Sequence, residues 1–202
     1  MIIIKLTLGQ KNNLNNMFQT IVIDNFLNDK ALLQNFFNNI LLGNMKLSFT
    51  NSGNDTSRID SFSSTEDQTN FFLPCIYDLY KKVSEIHEQQ FKHTNSYIHR
   101  WHLNVHPTGY DGDIHTDSSV DGLPTYLYFA TPDWQPIFGG EFIIYDNNYL
   151  AQEAMSFVAD RMVIFNGARP HRGLAPTRLS SLLRVSVAFQ TEIINNNKEV
   201  VK

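Results

Sequence analysis

The chain has 202 residues, 42% of them hydrophobic and 18% charged, so it is long enough to bury a core and too apolar for extended disorder. Lys and Arg number 16 against 20 Asp and Glu, a net charge of -4, which excludes the basic field that captures nucleic acid by itself. A lone cysteine, Cys75, excludes an internal disulfide and fits a reducing compartment; no stretch reaches the about 18 apolar residues of a membrane span, and residues 1–8 lack the parts of a signal peptide. The expectation is a cytoplasmic chain without membrane contact, its oligomeric state left open.

Residues 2–8 are branched and apolar and read as a strand, followed by an Asn- and Lys-rich turn over 9–16. Residues 18–23 are strand-like, and 24–29 carry helix-start chemistry. Leu32, Leu33, Phe36, Phe37 and Ile40 then recur at helical spacing. Residues 48–70 are crowded with Asn, Ser, Thr, Gly and Asp and read as a long loop, either a substrate lid or a solvated connection, with Arg58 and Asp60 inside it. A second helix is expected over 71–91, with Ile76, Leu79, Val83 and Ile86 on one face and Pro74 in its first turn.

After Asn95 the apolar period becomes two. Residues 96–106 alternate, with Trp101, Leu103 and Val105 on one face and His102, Asn104 and His106 on the other. Further strands are expected at 114–117, 125–130, 141–145, 154–158, 162–165, 171–174 and 182–192, separated by Gly, Pro, Asp and Asn breakers. Short strands at this spacing indicate a β-barrel or sandwich, here with two N-terminal helices packed on it. The expectation is one domain over 1–202, with strand-helix support at 1–95, a β-rich core at 96–192 and a frayed tail at 193–202.

Within that core, His115 and Asp117 are i and i+2 and would leave one face of a strand together. A third ligand from His171 would make two imidazoles and one carboxylate on one side of an ion, the donor set of non-haem Fe(II) sites with open positions. His102 and His106 read as lining residues. Along 183–190, Arg184, Ser186, Ala188 and Gln190 share one face. Arg172 falls on the opposite face from His171, and Arg178 in the turn before the last strand.

Residues 101–190 resemble the double-stranded β-helix of the Fe(II)/2-oxoglutarate-dependent dioxygenases, in particular the prolyl-4-hydroxylase-like branch. The resemblance rests on Pro107-Thr108-Gly109 ahead of His115-Thr116-Asp117, then Tyr126-Leu127-Tyr128-Phe129, Asp133-Trp134 and Gly139-Gly140-Glu141-Phe142. Met162-Val163-Ile164-Phe165, His171 and Arg184-Val185-Ser186 continue it in order, and residues 21–27 resemble the opening strand of that branch.

The resemblance implies a mainly β fold with flanking helices (α+β), built on a jelly-roll, cupin-like core. It implies Fe(II) held by His115, Asp117 and His171, and 2-oxoglutarate as co-substrate, with ascorbate supporting turnover. Arg184 would hold the distal carboxylate of 2-oxoglutarate, its planar fork being suited to bidentate pairing, with the Ser186 hydroxyl beside it. Tyr128, or Tyr126, would reach the same carboxylate, and either phenol could instead be interior packing. Asn104 and His106 occupy a strand position from which relatives contact the co-substrate, commonly with Tyr in place of His106. Asp117 favours hydroxylation over halogenation, in which a small residue replaces the carboxylate.

The implied activity is hydroxylation of a C–H bond, with release of succinate and carbon dioxide, on a small molecule or an amino-acid, peptide or protein side chain, prolyl included. AlkB-like demethylation of nucleic acid is disfavoured by the acidic balance and by the lack of a basic, aromatic-rich groove. A cupin-like binding protein without turnover would more typically bring His-x-His and Glu to its metal than His-x-Asp.

Overall fold

A computed structural model describes residues 19–41, 58–63 and 74–194. The strand expected at 2–8, the turn at 9–16 and the tail beyond 194 lie outside them, as does most of the expected loop at 48–70.

The chain forms β1 (Ile21–Ile23), α1 (Lys30–Leu41), β2 (Arg58–Ser63), α2 (Pro74–Ile86), β3 (Ser96–His106), β4 (Pro124–Phe129), β5 (Phe142–Tyr145), β6 (Ala151–Met155), β7 (Arg161–Asn166), β8 (His171–Gly173) and β9 (Arg184–Ile193). Six strands make a sheet in the order β1-β7-β4-β9-β3-β2, and three make a second in the order β6-β5-β8. Every pairing is antiparallel. Sequence-distant strands are therefore neighbours: β3 and β9 pair from Ser96↔Ile193 to His106↔Arg184.

Strand alternation divides the buried residues between two cores. One face of the large sheet carries Trp101, Leu103, Val105, Tyr126, Tyr128, Met162, Ile164, Val185, Val187 and Phe189. It packs against Leu33, Phe36 and Phe37 of α1 and Ile76, Leu79 and Val83 of α2. The other face carries Leu127, Phe129, Val163, Phe165 and Ala188 and meets Phe142, Ile144 and Met155 of the small sheet. The central strands β4 and β9 are consequently buried on both sides.

Local chemistry explains where the helices start and stop. Asp29 caps α1, accepting the Leu32 N–H on Oδ1 at 2.9 Å, which satisfies one of the donors a helix start leaves unpaired. The second helix is α-helical only to Ile86; a wider π-turn follows over His87–Phe91, then a tight turn over Lys92–Thr94. Asn95 at φ 48° reverses the chain into β3.

Three expectations are corrected. The strand expected at 154–158 lies earlier, as β6 at Ala151–Met155. Residues 58–63 are a strand, β2, added to the edge of the large sheet through β3, so part of the expected loop at 48–70 is sheet and places Arg58 opposite Asn104 and Asp60 opposite His102. Its polar composition hid it, since an edge strand needs no continuous apolar face. Residues 114–117 do not form a strand; they make a single bridge, His115↔His171. Gly112 N donates to Gly173 O at 2.9 Å, and Asp117 N to Gly167 O at 2.8 Å, so the segment is laid along β8 and the end of β7 by isolated bonds.

Candidate active site

The bridge positions the first two candidate ligands. His115 and His171 exchange both backbone hydrogen bonds, at 3.0 and 2.9 Å, and their rings come to 4.5 Å between centroids. Asp117 follows two residues later. Its Oδ1 lies 3.6 Å from His115 Nε2, and its Oδ2 lies 3.3 Å from His171 Nε2. One donor atom from each of the three residues falls within 4.8 Å of the others.

Both rings are turned by the backbone. His115 Nδ1 lies 2.9 Å from Asp113 O and His171 Nδ1 lies 2.8 Å from Arg169 O. A carbonyl only accepts, so Nδ1 carries the hydrogen in each ring, and the Nε2 lone pairs face the common centre. Burial pushes the Asp117 carboxyl upward, but His171 and His115, when protonated on Nε2 as well, outweigh it and hold the group well below the usual carboxylate range. The Asp117 and His171 side chains are 4% exposed and that of His115 is 46% exposed, so the site opens to solvent on the His115 side. Gln190 Nε2 donates to Asp117 Oδ1, and Arg100 Nε donates to Gln190 Oε1.

These residues line one end of a cavity enclosing about 580 Å³ of empty space, its open mouth included. Its floor is β9, with Arg184, Ser186, Ala188 and Gln190, beside His102, Asn104 and His106 of β3; Leu127, Phe142 and Phe165 make the wall apolar. Arg184 is 1% exposed. Its Nε donates to Gly140 O at 2.8 Å and its Nη1 to Ser186 Oγ at 3.2 Å, while its guanidinium carbon lies 5.0 Å from the Phe157 ring and 5.5 Å from that of Phe129. Nη2 is buried and has no hydrogen-bond partner among the described residues. Burial lowers the Arg184 pKa to about 10, with Glu141 opposing the shift, so it stays a cation at neutral pH.

Glycines make room for that cation. A Cβ on Gly173 would lie 3.0 Å from Cζ and both terminal nitrogens of Arg184, and one on Gly140 would lie 3.2 Å from its Cδ. Gly140 also holds φ 77°, a left-handed conformation that glycine adopts freely.

The structure brings together His115, Asp117 and His171, and separately Arg184 and Ser186 with Asn104 and His106, around one cavity. It does not bring Tyr126 or Tyr128 there, which corrects the expected co-substrate contact. Both rings lie on the helix-covered face of β4, where the Tyr126 hydroxyl meets His87 Nδ1 at 3.0 Å and the Tyr128 hydroxyl donates to Asp160 Oδ1 at 2.9 Å. Thr125 and Leu127 face the cavity instead. Since all six residues of β4 are buried, polarity along the strand carries no signal for which parity faces the site. Gln190 and Gly173 were also missed as site residues. Gln190 shares the β9 face of Arg184, which was the available signal, whereas nothing near Gly173 in sequence marks its approach to Arg184. Arg172 turns outward onto Tyr145, its Nε donating to the hydroxyl at 2.9 Å, and Arg178 is exposed in a turn.

Comparison with models of protein families and with characterised protein sequences finds no match. Solved structures do match, among them prolyl hydroxylases and a member of the 2-oxoglutarate–Fe(II) oxygenase family. A prolyl-4-hydroxylase of Pseudomonas putida superposes with a TM-score of 0.57 at 17% identity, covering 87% of this chain and 93% of that one. A Trichoplax adhaerens prolyl hydroxylase, solved with a peptide fragment of the hypoxia inducible factor oxygen degradation domain, gives 0.61 at 16% identity over 85% and 82%. A collagen prolyl hydroxylase of Paramecium Bursaria Chlorella virus-1, solved as its 2-oxoglutarate complex, gives 0.60 at 14% identity over 87% and 96%. The chain has the fold of these oxygenases.

Proposed function

We propose that the chain is a non-haem Fe(II), 2-oxoglutarate-dependent oxygenase, built on a double-stranded β-helix, that hydroxylates an amino-acid, peptide or protein side chain. The observation that carries the reading is the pairing, in one cavity, of the His115–Asp117–His171 donor set with a buried guanidinium whose Nη2 has no partner among the described residues. A buried N–H left unmade is costly, and the carboxylate of a bound dicarboxylic acid would satisfy it. The donor set suits Fe(II), having imidazole and carboxylate and no thiolate. The same fold in oxygenases solved with 2-oxoglutarate and with a peptide supports the assignment.

Bound Fe(II) with 2-oxoglutarate and dioxygen would supply the oxidation of a C–H bond, releasing succinate and carbon dioxide. The chain supplies position and dryness. His115 and His171 present Nε2 because their Nδ1–H groups are tied to Asp113 and Arg169 carbonyls. Arg184 and Ser186 would hold the distal carboxylate. Asn104 and His106 remain candidate polar contacts for the co-substrate, both lining the cavity. Leu127, Phe142 and Phe165 keep water from the inner wall.

The test is consumption of 2-oxoglutarate by purified protein with Fe(II) and ascorbate, using proline-containing peptides first, because neighbours of this fold are prolyl hydroxylases. A substrate mass gain of one oxygen is expected, and His171→Ala is expected to abolish it. Wild-type turnover in His171→Ala would overturn the ligand assignment. Salt-sensitive repair of a methylated nucleic-acid base would overturn the substrate class.

A further inference from the structure

The candidate ligand Asp117 is held by a side chain that the oxygenase reading does not require. Gln190 lies on β9, six residues beyond Arg184, and is 2% exposed. In register it faces Arg100 of β3 on one side and Thr125 of β4 on the other. Its amide bridges two groups of opposite demand: Arg100 Nε donates to its Oε1, and its Nε2 donates to Asp117 Oδ1. A guanidinium has only donors and an ionised carboxylate only acceptors. The amide can therefore sit one way round, oxygen toward Arg100 and nitrogen toward Asp117.

We propose that Gln190, oriented by Arg100, is a positioning residue that occupies Oδ1 of Asp117 and so commits this carboxylate to bind the metal through its other oxygen alone. This rests on the metal-centre reading above. A carboxylate free on both sides turns among several orientations, some facing away from the ion and some chelating it with both oxygens in a position that co-substrate or dioxygen needs, so the ligand is no longer preorganised for metal. With Oδ1 held by the Gln190 amide, Oδ2 is the oxygen left, 3.3 Å from His171 Nε2. Two imidazoles and a single oxygen then leave the remaining positions open. The amide–carboxylate bond is the kind of outer contact that orients a ligand and tunes its affinity.

Co(II), an oxygen-stable probe of Fe(II) sites with a coordination-sensitive visible spectrum, tests this by titration without turnover. Gln190→Met keeps length and apolar bulk but loses both hydrogen bonds. It is expected to weaken Co(II) binding roughly 10- to 100-fold, the usual effect of removing such a partner, and to change the Co(II) absorption bands. Arg100→Met is expected to weaken binding by a smaller factor, Arg100→Lys to restore most of it, and Arg100→Met to have no further effect once Gln190→Met is present. That non-additivity would not arise from two independent packing defects. Should Gln190→Met fail to fold, the two Arg100 variants still decide the matter. Wild-type affinity and spectrum in folded Gln190→Met, wild-type affinity in Arg100→Met, or an equal Arg100 effect with and without Gln190, would each overturn the proposal. If the wild-type chain itself bound no Co(II), the metal-centre reading would fall instead.

Discussion

On the proposed reading, removal of Arg184 is expected to separate co-substrate binding from metal binding. A charge-assisted pair in a dry cavity contributes about 1.5–3 kcal/mol, so Arg184→Ala is expected to raise the apparent 2-oxoglutarate constant by roughly 10- to 100-fold. Metal affinity is expected to survive, because none of the three candidate ligands hydrogen-bonds to Arg184. Lys at this position keeps the charge but not the fork and is expected to fall between the two. Unchanged 2-oxoglutarate dependence in Arg184→Ala would count against the anchor. His106, its neighbour across the β3–β9 pair, behaves differently. Burial first, and the Arg184 guanidinium second, push the His106 pKa from 6.5 down to about 3. Between those values the unfolded chain binds a proton that the folded chain refuses. Stability is therefore full above about pH 6.5 and falls as pH drops toward 3, with a slope approaching roughly 1.4 kcal/mol per pH unit from this group. Urea denaturation at a series of pH values, comparing wild type with His106→Asn, is expected to show a shallower acid limb in the variant.

At the scale of elements, Asp160 ties three of them together. Its carboxylate accepts the Leu27 and Asn28 N–H groups between β1 and α1, at 2.8 and 2.9 Å, and the Tyr128 hydroxyl of β4 at 2.9 Å. Asp160→Ala leaves all three donors without this partner and is expected to cost roughly 2–4 kcal/mol in chemical denaturation. Tyr128→Phe loses one of those bonds and is expected to cost about 1 kcal/mol while leaving the 2-oxoglutarate constant unchanged. A large rise in that constant for Tyr128→Phe would restore the tyrosine to the cavity and reverse the observed face of β4. The same strand shows why sequence can mislead. Residues 102, 104 and 106 of β3 alternate with apolar partners, so their shared face was legible, whereas β4 has no polar side to read.

For the whole molecule, ligand binding is expected to appear as stability. Metal and co-substrate bound only by the folded chain, each at about 100 times its dissociation constant, contribute roughly 2.7 kcal/mol apiece. In a chain of this size each kcal/mol moves the melting temperature by about 2–4 °C. A rise of roughly 5–10 °C for each ligand bound is expected on adding Fe(II) or Mn(II) and then 2-oxoglutarate, reversed by a chelator and absent in His171→Ala. An unshifted melting curve in wild type would argue against a preformed site.

The features legible in the chain alone were local or periodic. Leu33, Phe36 and Phe37 announce the buried stripe of α1, the period-two run at 96–106 gives β3 to the residue, and Arg184 and Ser186 share a face by parity alone. Residue type and order also marked His115, Asp117 and His171 as one donor set. Long-range pairing set the rest: a single bridge, not a strand, sets His115 against His171, Tyr126 and Tyr128 turn to the helices, residues 58–63 add an edge strand, and Gln190 holds Asp117. Each of these depends on which of two faces, or which distant segment, a residue meets. Strand parity says only that alternate side chains differ in side, and long-range antiparallel pairing chooses the side.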